Sequence, residues 1–545
     1  MRTPAGRRTA IVLSLLLATL ACACSDAPSS APAAPPNVLW IVADDMSFEL
    51  GAFGDGVART PNLDRLANEG VRYPNAFATA GVCSPSRAAL MTGMYATSIG
   101  AQHMRSINAG YYPVPPPDVR TFTEYLRAAG YWASSQGKLD YQFTEVFDHA
   151  PITNWDDANG DWHGRAPGQP FFAHVTIFDT HESQLFGTKP LTTDPASVVV
   201  PPYYPDTEAV RRDFARHYDN VASLDAKVGH LLDMLDAEGL AENTVVLFFP
   251  DNGRGLPRDK RWTYDGGIHL PLIVRWPGHL QPGTIDERLV SYVDFAPTAL
   301  ALAGVPVPPN MQGRVFLGPD ADPEPEFVFA AADRHDEARD RIRAVRDKRF
   351  KYLRNYQPET PYGQSIAFRN NLATMQEIFR LHDEGLLLPP ADWYYRATKP
   401  VEELYDTQSD PFELDDLADR PEQQERLARM RAAHERWVAD TGDLGAVPES
   451  ELKERFWPGG VQPVTPPPSI EPAGGTFDGP VDVAIRSDVD GASLAYTLDP
   501  GDDAHWLLYT RPVRLAAGST LRARAVRYGW ADSADASATF AIGGR

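Results

Sequence analysis

The chain has 545 residues, 43% hydrophobic and 23% charged, enough to bury the core of a large domain and to carry an accessory one. Its formal charge of −22, from 73 acidic against 51 basic side chains, argues against nucleic acid as a partner, because phosphate binding needs clustered Lys and Arg. An anionic substrate would need a local cationic pocket set against that field.

Residues 1–24 read as an export signal: Arg2, Arg7 and Arg8, an apolar run from Ala10 to Leu20, then Ala21-Cys22-Ala23-Cys24. The run is short for a membrane span, and the cysteines resemble a bacterial lipoprotein signal with lipid on Cys22 or Cys24. Residues 25–36, rich in Ser, Ala and Pro, read as a flexible tether. The body is therefore expected outside the cytoplasm, in the periplasm or on the outer surface. The apolar runs 37–43, 171–178 and 244–249 suit strands buried on both faces, with a weaker strand at 131–135. Val221, Leu224, Val228, Leu231, Leu232 and Leu235 fall at helical spacing before Gly239. Residues 37–325 are thus predicted to form an α/β domain, a large mixed, mostly parallel sheet flanked by helices. Short strands at 326–330, 342–345 and 349–353 and a helix at 421–440 predict a smaller α+β subdomain over 326–460. A Pro-rich linker (461–468) precedes alternating strands over 469–545, the pattern of a β-sandwich.

Cys83 is left without a partner once the signal is removed, so it is an idle thiol, an intermolecular link or a chemically used group. Polar residues follow the apolar runs: Asp44-Asp45, Gly137-Lys138, Asp179-Thr180-His181-Glu182 and Asp251-Asn252. Ligand crevices of open α/β sheets lie beyond the carboxyl ends of the strands, where these segments would converge. Three carboxylates brought together repel unless a cation neutralises them, and an all-oxygen set suits Ca2+ better than Mg2+. The competing account is that Asp45 and Asp251 cap turns. Ser84 is placed as an N-cap and Pro85 at the first position of a helix ending near Gly93. Cys83 then sits at a helix N-terminus that favours an anion, with Arg87 one turn in. A soft thiolate does not match hard oxygen ligands.

The run Cys83-Ser84-Pro85-Ser86-Arg87, preceded by Asp44-Asp45 and followed by Gly137-Lys138, His181, Asp251-Asn252 and Lys260, resembles the type I sulfatases of the alkaline phosphatase superfamily across residues 37–415. The resemblance implies that a modifying enzyme oxidises Cys83 to Cα-formylglycine, whose hydrate attacks sulfur. It implies that Asp44, Asp45, Asp251, Asn252 and the modified Cys83 hold Ca2+, and that Arg87 orients the hydrate. Lys138 and Lys260 would grip sulfate oxygens, and His181 would protonate the leaving atom. The family's Gly-Lys-x-His is here Gly137-Lys138-Leu139-Asp140, so Asp140 or His103 stands in for the usual histidine, or Asp140 is a turn residue. The implied substrate is a sulfate ester or sulfamate on a carbohydrate such as a glycosaminoglycan. The alternatives are a phosphonate or phosphate ester hydrolase of the same superfamily, or a non-catalytic, glycan-binding surface lipoprotein. Arg334, His335, Asp336, Glu337 and Arg339 read as a solvated loop, the alternative being a polar run that reaches the pocket from the smaller subdomain, and Lys351 and Arg354 read as strand-surface residues. The terminal sandwich resembles the Ig-like module of chitobiase and hexosaminidase-type enzymes, and a spacer role is expected for it.

Overall fold

Side chains alternate along a strand, so β1 (Asn37–Ala43) sends Val38, Trp40 and Val42 to one face and Leu39, Ile41 and Ala43 to the other. All six are buried, and each face is the seed of its own core. In the computed structural model, which describes residues 35–143, 145–147, 150–502 and 504–543, β1 is central to an eight-stranded sheet. The elements that follow it are α1 (Pro61–Glu69), β2 (Val71–Phe77), α2 (Cys83–Thr92), α3 (Phe122–Ala128), β3 (Trp132–Gln136) and β4 (Phe171–Ile177). Next come α4 (Glu208–Ala237), β5 (Thr244–Pro250), the single turn α5 (Asp265–Ile268), β6 (His269–Arg275), β7 (Thr284–Ile285), β8 (Val290–Ser291) and α6 (Phe295–Leu302). The strand order is β3-β4-β1-β5-β6-β2-β7, with β8 also on β2. Strands β3, β4, β1 and β5 run parallel, whereas β6 is antiparallel to both β5 and β2. The mixed, helix-flanked α/β architecture is the one predicted.

Helices cover both faces. Leu63, Leu66, Val221, Leu224, Val228 and Leu232 from α1 and α4 pack on Leu39 and Ile41. On the other face Trp40 lies 5.0 Å from Phe122 of α3 and 5.7 Å from Phe295 of α6, centroid to centroid. Burial of such side chains stabilises by about 1.5–3 kcal/mol each, which fixes the strand ends where the candidate site forms.

A second, antiparallel sheet has the order β12-β11-β10-β9, from β9 (Val328–Ala332), β10 (Ile342–Arg346), β11 (Phe350–Asn355) and β12 (Glu402–Asp406). Helix α7 (Ala373–Asp383) packs back on α4. Helix α8 (Gln424–Thr441), entered through a 3-10 turn at Pro421–Gln423, covers the sheet with Leu427 and Met430. Two expectations for this region are corrected. Lys351 is fully buried, not a surface residue, and pairs with Asp265 at 2.6 Å and Glu413 at 3.1 Å. The second sheet packs against the α5 turn, so its outward-looking lysine meets carboxylates; Arg354 stays half-buried. Arg334 and His335 are also buried, Arg334 on Glu449 at 2.7 Å and His335 Nδ1 3.0 Å from the Arg261 carbonyl. Only Glu337 and Arg339 of that run are exposed.

A three-stranded and a five-stranded sheet close the chain around Val483, Ile485, Leu521, Ala523 and Phe540. This module is no free spacer. Tyr528 donates to Glu124 at 2.6 Å and stacks on Phe143 at 5.5 Å, and Arg127 donates to the Trp506 carbonyl at 2.8 Å. These polar and aromatic contacts tie it to α3 and to the segment after β3. Among the described residues no helix is long and apolar enough to cross a membrane. The expected signal, Cys22, Cys24 and nearly all of the tether lie outside the described residues.

Candidate active site

Because β1 is paired in parallel with both β4 and β5, the three strands end side by side: Ala43 is level with Ile177 and with Pro250. The chain continues that alignment, since Asp44 N–H donates to the Ile177 carbonyl (3.1 Å) and Asp251 N–H to the Ala43 carbonyl (2.9 Å). Asp44, Asp45, Asp251 and Asn252 are therefore forced together, all fully buried. Asp45 N–H donates to Asp251 Oδ1 (3.1 Å), and Asn252 Nδ2 to Asp45 Oδ1 (2.8 Å).

Helix α2 brings the motif. Its first residue is Cys83 and its N-cap is Val82, with no side-chain cap. The predicted Ser84 cap is thus corrected: Ser84 is already inside the helix, and its hydroxyl donates instead to Asp140 Oδ1 at 2.7 Å. Cys83 Sγ lies 3.8 Å from Asp44 Oδ1 and 3.7 Å from Asp45 Oδ1. Every residue of α2 is buried. Arg87 Nε donates to Asp251 Oδ2 (2.8 Å), and its Nη1 to the Lys138 carbonyl and Thr176 Oγ1 (3.0 Å each). Ser86 Oγ donates to the Asp251 carbonyl at 2.6 Å. Gly81 is required just before the motif, because a Cβ there would lie 2.1 Å from the Trp262 carbonyl. That close approach draws the Lys260 segment against residue 83.

Two buried lysines complete the cluster. Lys138 Nζ sits 3.0 Å from Asp44 Oδ2, and Lys260 Nζ 2.6 Å from Asp45 Oδ2. Burial opposes ionisation of Asp44 and Asp45, but Lys138, His181 and Arg87 around the first, and Lys260 and His181 around the second, outweigh it. Asp44 is held well below the usual carboxylate range and Asp45 at about 2. Asp251 goes the other way, pushed up to about 6 by burial and by the charge on Asp44 despite Arg87 and Lys138. Burial raises the Cys83 thiol well above its ordinary value, against the pull of both lysines. A thiol there stays protonated at neutral pH and is no nucleophile.

His181 follows β4, with Nε2 3.9 Å from Asp45 Oδ2. Ser183 N–H donates to its Nδ1 (3.2 Å), which leaves the proton of the neutral ring on Nε2, the atom facing the cluster. Burial, with Lys260, lowers its pKa to about 4.

Asp140 is no free base. It is buried, 2.7 Å from Ser84 Oγ, 3.0 Å from Arg105 Nη2 and 3.5 Å from Lys138 Nζ. Burial would raise its pKa, but Arg105 and Lys138 bring it down to about 2. His103 is engaged elsewhere, its Nδ1 accepting from Arg334 N–H at 3.3 Å. Arg105 escaped the sequence reading because nothing local links it to Asp140. Glu182 and Arg261 escaped too, although each adjoins a chosen residue. Glu182 pairs with Arg261 at 2.7 Å and Lys260 at 3.4 Å. Among the described residues eight non-glycines have positive φ, and Asp45 (57°), Arg105 (42°), Asp140 (47°) and Arg261 (77°) fall in this cluster. Such conformations cost about 1–3 kcal/mol each and gather at functional sites.

Removal of the Asp140 carboxylate takes from Arg105 its carboxylate partner and leaves Lys138 with Asp44 alone. Asp140→Ala is expected to destabilise the protein by about 3–5 kcal/mol, read by thermal or denaturant unfolding. The folded pKa of Asp140 is depressed from 3.8 to about 2, so its contribution is complete above pH 3.8 and fades as pH falls towards 2. The deficit of the variant should shrink over that window. A variant as stable as the parent at neutral pH would show that the pairing carries no weight.

Residues 36–305 match the family model described as Sulfatase, and residues 256–379 match N-sulphoglucosamine sulphohydrolase, C-terminal. An ulvan-active sulfatase from Formosa agariphila is 41% identical, with 91% of this chain and 90% of its own length covered. Human N-sulphoglucosamine sulphohydrolase is 28% identical, with 78% and 94% covered. Solved structures share the fold: a protein in complex with its substrate D-glucosamine-2-N,6-O-disulfate (TM-score 0.54, 19% identity, 75% of this chain and 98% of that one) and a phosphonate monoester hydrolase from Silicibacter pomeroyi (TM-score 0.55, 18% identity, 76% and 97%). With the Cys83–Arg87 run, the acidic cluster and both lysines gathered at the carboxyl ends of the strands, the chain belongs to the sulfatase family of sulfuric ester hydrolases.

Proposed function

We propose that this enzyme removes sulfate, as ester or sulfamate, from a carbohydrate, with position 83 working as formylglycine beside Ca2+. The observation that carries the proposal is the setting of Cys83, a buried, protonated thiol 3.7–3.8 Å from two carboxylates. Sulfur is wrong there as ligand and as nucleophile. An aldehyde hydrate at that position supplies a hard oxygen in its place. Two relatives are named for carbohydrate substrates, ulvan and N-sulphoglucosamine. Since α2 is buried throughout, the modifying enzyme must act before the chain folds. Export and a lipid on Cys22 or Cys24 complete the proposal; labelling with a fatty acid analogue tests that part.

The residues fit a cation. Asp44, Asp45, Asp251 and position 83 offer ligand atoms within 4.8 Å of one another. Asn252 spends its Nδ2 on Asp45 and the Gly253 carbonyl, which leaves Oδ1 buried and without a partner. Ca2+, when bound there, would supply charge that offsets the mutual repulsion of the three carboxylates. Arg87, locked on Asp251 and Thr176, holds the helix N-terminus and its own charge beside the reacting group. Lys138 and Lys260 bind the sulfate oxygens and meet charge as it develops. His181 Nε2 faces the departing oxygen or nitrogen, and the ring would act as its acid once the substrate's negative charge draws a second proton onto it.

His181→Ala is expected to lower kcat by roughly 10²–10⁴ on a sulfated sugar and much less on nitrophenyl sulfate, whose leaving group needs no proton. Equal losses on both would remove His181 from that role. Paired aryl sulfate and aryl phosphate rates separate a sulfatase from a phosphonate or phosphate ester hydrolase of similar fold; dominant phosphate or phosphonate turnover would contradict the proposal.

A further inference from the structure

Three phenylalanines stand exposed among the described residues, Phe147, Phe186 and Phe368, at 45, 37 and 42%. All three belong to one belt of rings around His181. Phe178 stacks on His181 with centroids 4.3 Å apart and planes 19° from parallel. Phe147 meets Phe178 edge-on at 5.6 Å. On the other side Phe368 lies 6.4 Å from His181 and meets Phe186 edge-on at 5.3 Å. The rings come from separate parts of the chain: the exit of β4, the turn Glu182–Phe186, the residue before the turn Arg369–Asn371, and the stretch after β3. Single exposed apolar residues are ordinary, but a contiguous row gathered from distant segments marks a contact surface. The row starts at His181, whose Nε2 is 3.9 Å from Asp45 Oδ2, and Asp45 Oδ1 is 3.7 Å from Cys83 Sγ. It therefore continues the candidate site on the side from which the leaving group departs.

We propose that Phe186 and Phe368, with Phe178 and Phe147 behind them, form the leaving-group subsite and stack on the apolar C–H face of a pyranose ring that carries the sulfate. This rests on the carbohydrate-sulfatase reading and adds the residues that select a sugar. A pyranose suits the belt because its flat C–H face needs no hydrogen bonds from the rings, whereas its sulfate reaches the lysine pair below. A fatty chain or a peptide would fill the belt without placing an anion between Lys138 and Lys260.

Phe186→Ala/Phe368→Ala, two changes at exposed positions, tests it. The double variant is expected to raise KM for N-sulfoglucosamine and glucosamine 6-sulfate about tenfold, the equivalent of one buried aromatic contact. The loss should lie in KM rather than kcat, with the Ki of inorganic sulfate unmoved. Calorimetry with the same sugars on the Cys83→Ala background, which cannot turn them over, should show the same weakening. Equal sugar affinities with and without the two rings, or none in either, overturn the subsite. So would loss of binding to phosphatidylglycerol vesicles with sugar affinity intact, which would make the belt a lipid surface. Failure of the parent enzyme to hydrolyse any sulfate ester would count against the function alone, since the calorimetry still decides the belt.

Discussion

Cys83→Ala loses on the order of 10⁵–10⁶ in kcat on a sulfated saccharide, the scale on which enzymes lose a covalent nucleophile, yet unfolds within a few degrees of the parent. The two halves of this expectation come from the same surroundings. Cys83 packs only against Val82 and Met104 in its small apolar cluster, so removal of one sulfur atom costs about 1 kcal/mol. The carboxylates and lysines around it keep their own pairs, Lys138 with Asp44 and Lys260 with Asp45. Cys83→Ser should be equally inactive, because a serine hydroxyl is no hydrated aldehyde. A Cys83→Ala enzyme that retains a tenth of its activity would place the nucleophile elsewhere.

Removal of calcium is expected to have the second large effect. With Asp251 raised to about 6 by burial and by its neighbour Asp44, its charge is the most costly of the three carboxylates, and a divalent ion beside it would favour the ionised form. At a hundredfold excess over Kd, Ca2+ stabilises the folded state by about 2.7 kcal/mol, and Mg2+ by less, since a set of several protein oxygens suits the larger ion. Chelation should abolish turnover and lower the unfolding temperature, and Ca2+ should restore both. Asp251→Ala removes the response and strands Arg87, whose Nε it holds at 2.8 Å, at a cost of about 3–5 kcal/mol. Full activity and an unchanged melting temperature after verified metal removal would contradict the cation.

What the sequence revealed and what it hid follow from the range of the interactions. Asn37–Ala43 and Thr244–Pro250 are legible because strands buried on both faces must be apolar at every position. The polar residues just after them are legible as a site for the same reason, because turn capping accounts for a single carboxylate at a strand end more readily than for Asp44, Asp45 and Asp251 together. Strand β2 is harder, since Pro74 and Asn75 interrupt it and its pairing with β6 is irregular there. Lys351 looks solvated in its own strand and becomes buried only when α5 arrives from another layer. Arg105 and Asp140 are 35 positions apart, and no periodicity joins them. The contact of the terminal module is hidden similarly, since Tyr528, Asn154 and Glu124 form a polar network without the apolar face that marks an interface in sequence. Ser84 illustrates a local rule overridden: it has the chemistry of an N-cap, but Asp140 offers its hydroxyl a charged acceptor, and the helix begins two residues earlier than such a cap would place it.

The central claim is that position 83, encoded as cysteine, works as an oxygen nucleophile. Mass spectrometry of the tryptic peptide 73–87 from catalytically active protein tests it directly. Replacement of sulfur and two hydrogens by oxygen, an oxidative conversion of the thiol carbon, lowers the peptide mass by about 18 Da, and that loss, read on the dehydrated aldehyde, is the expected result. The unmodified thiol as the sole form in fully active enzyme would contradict it.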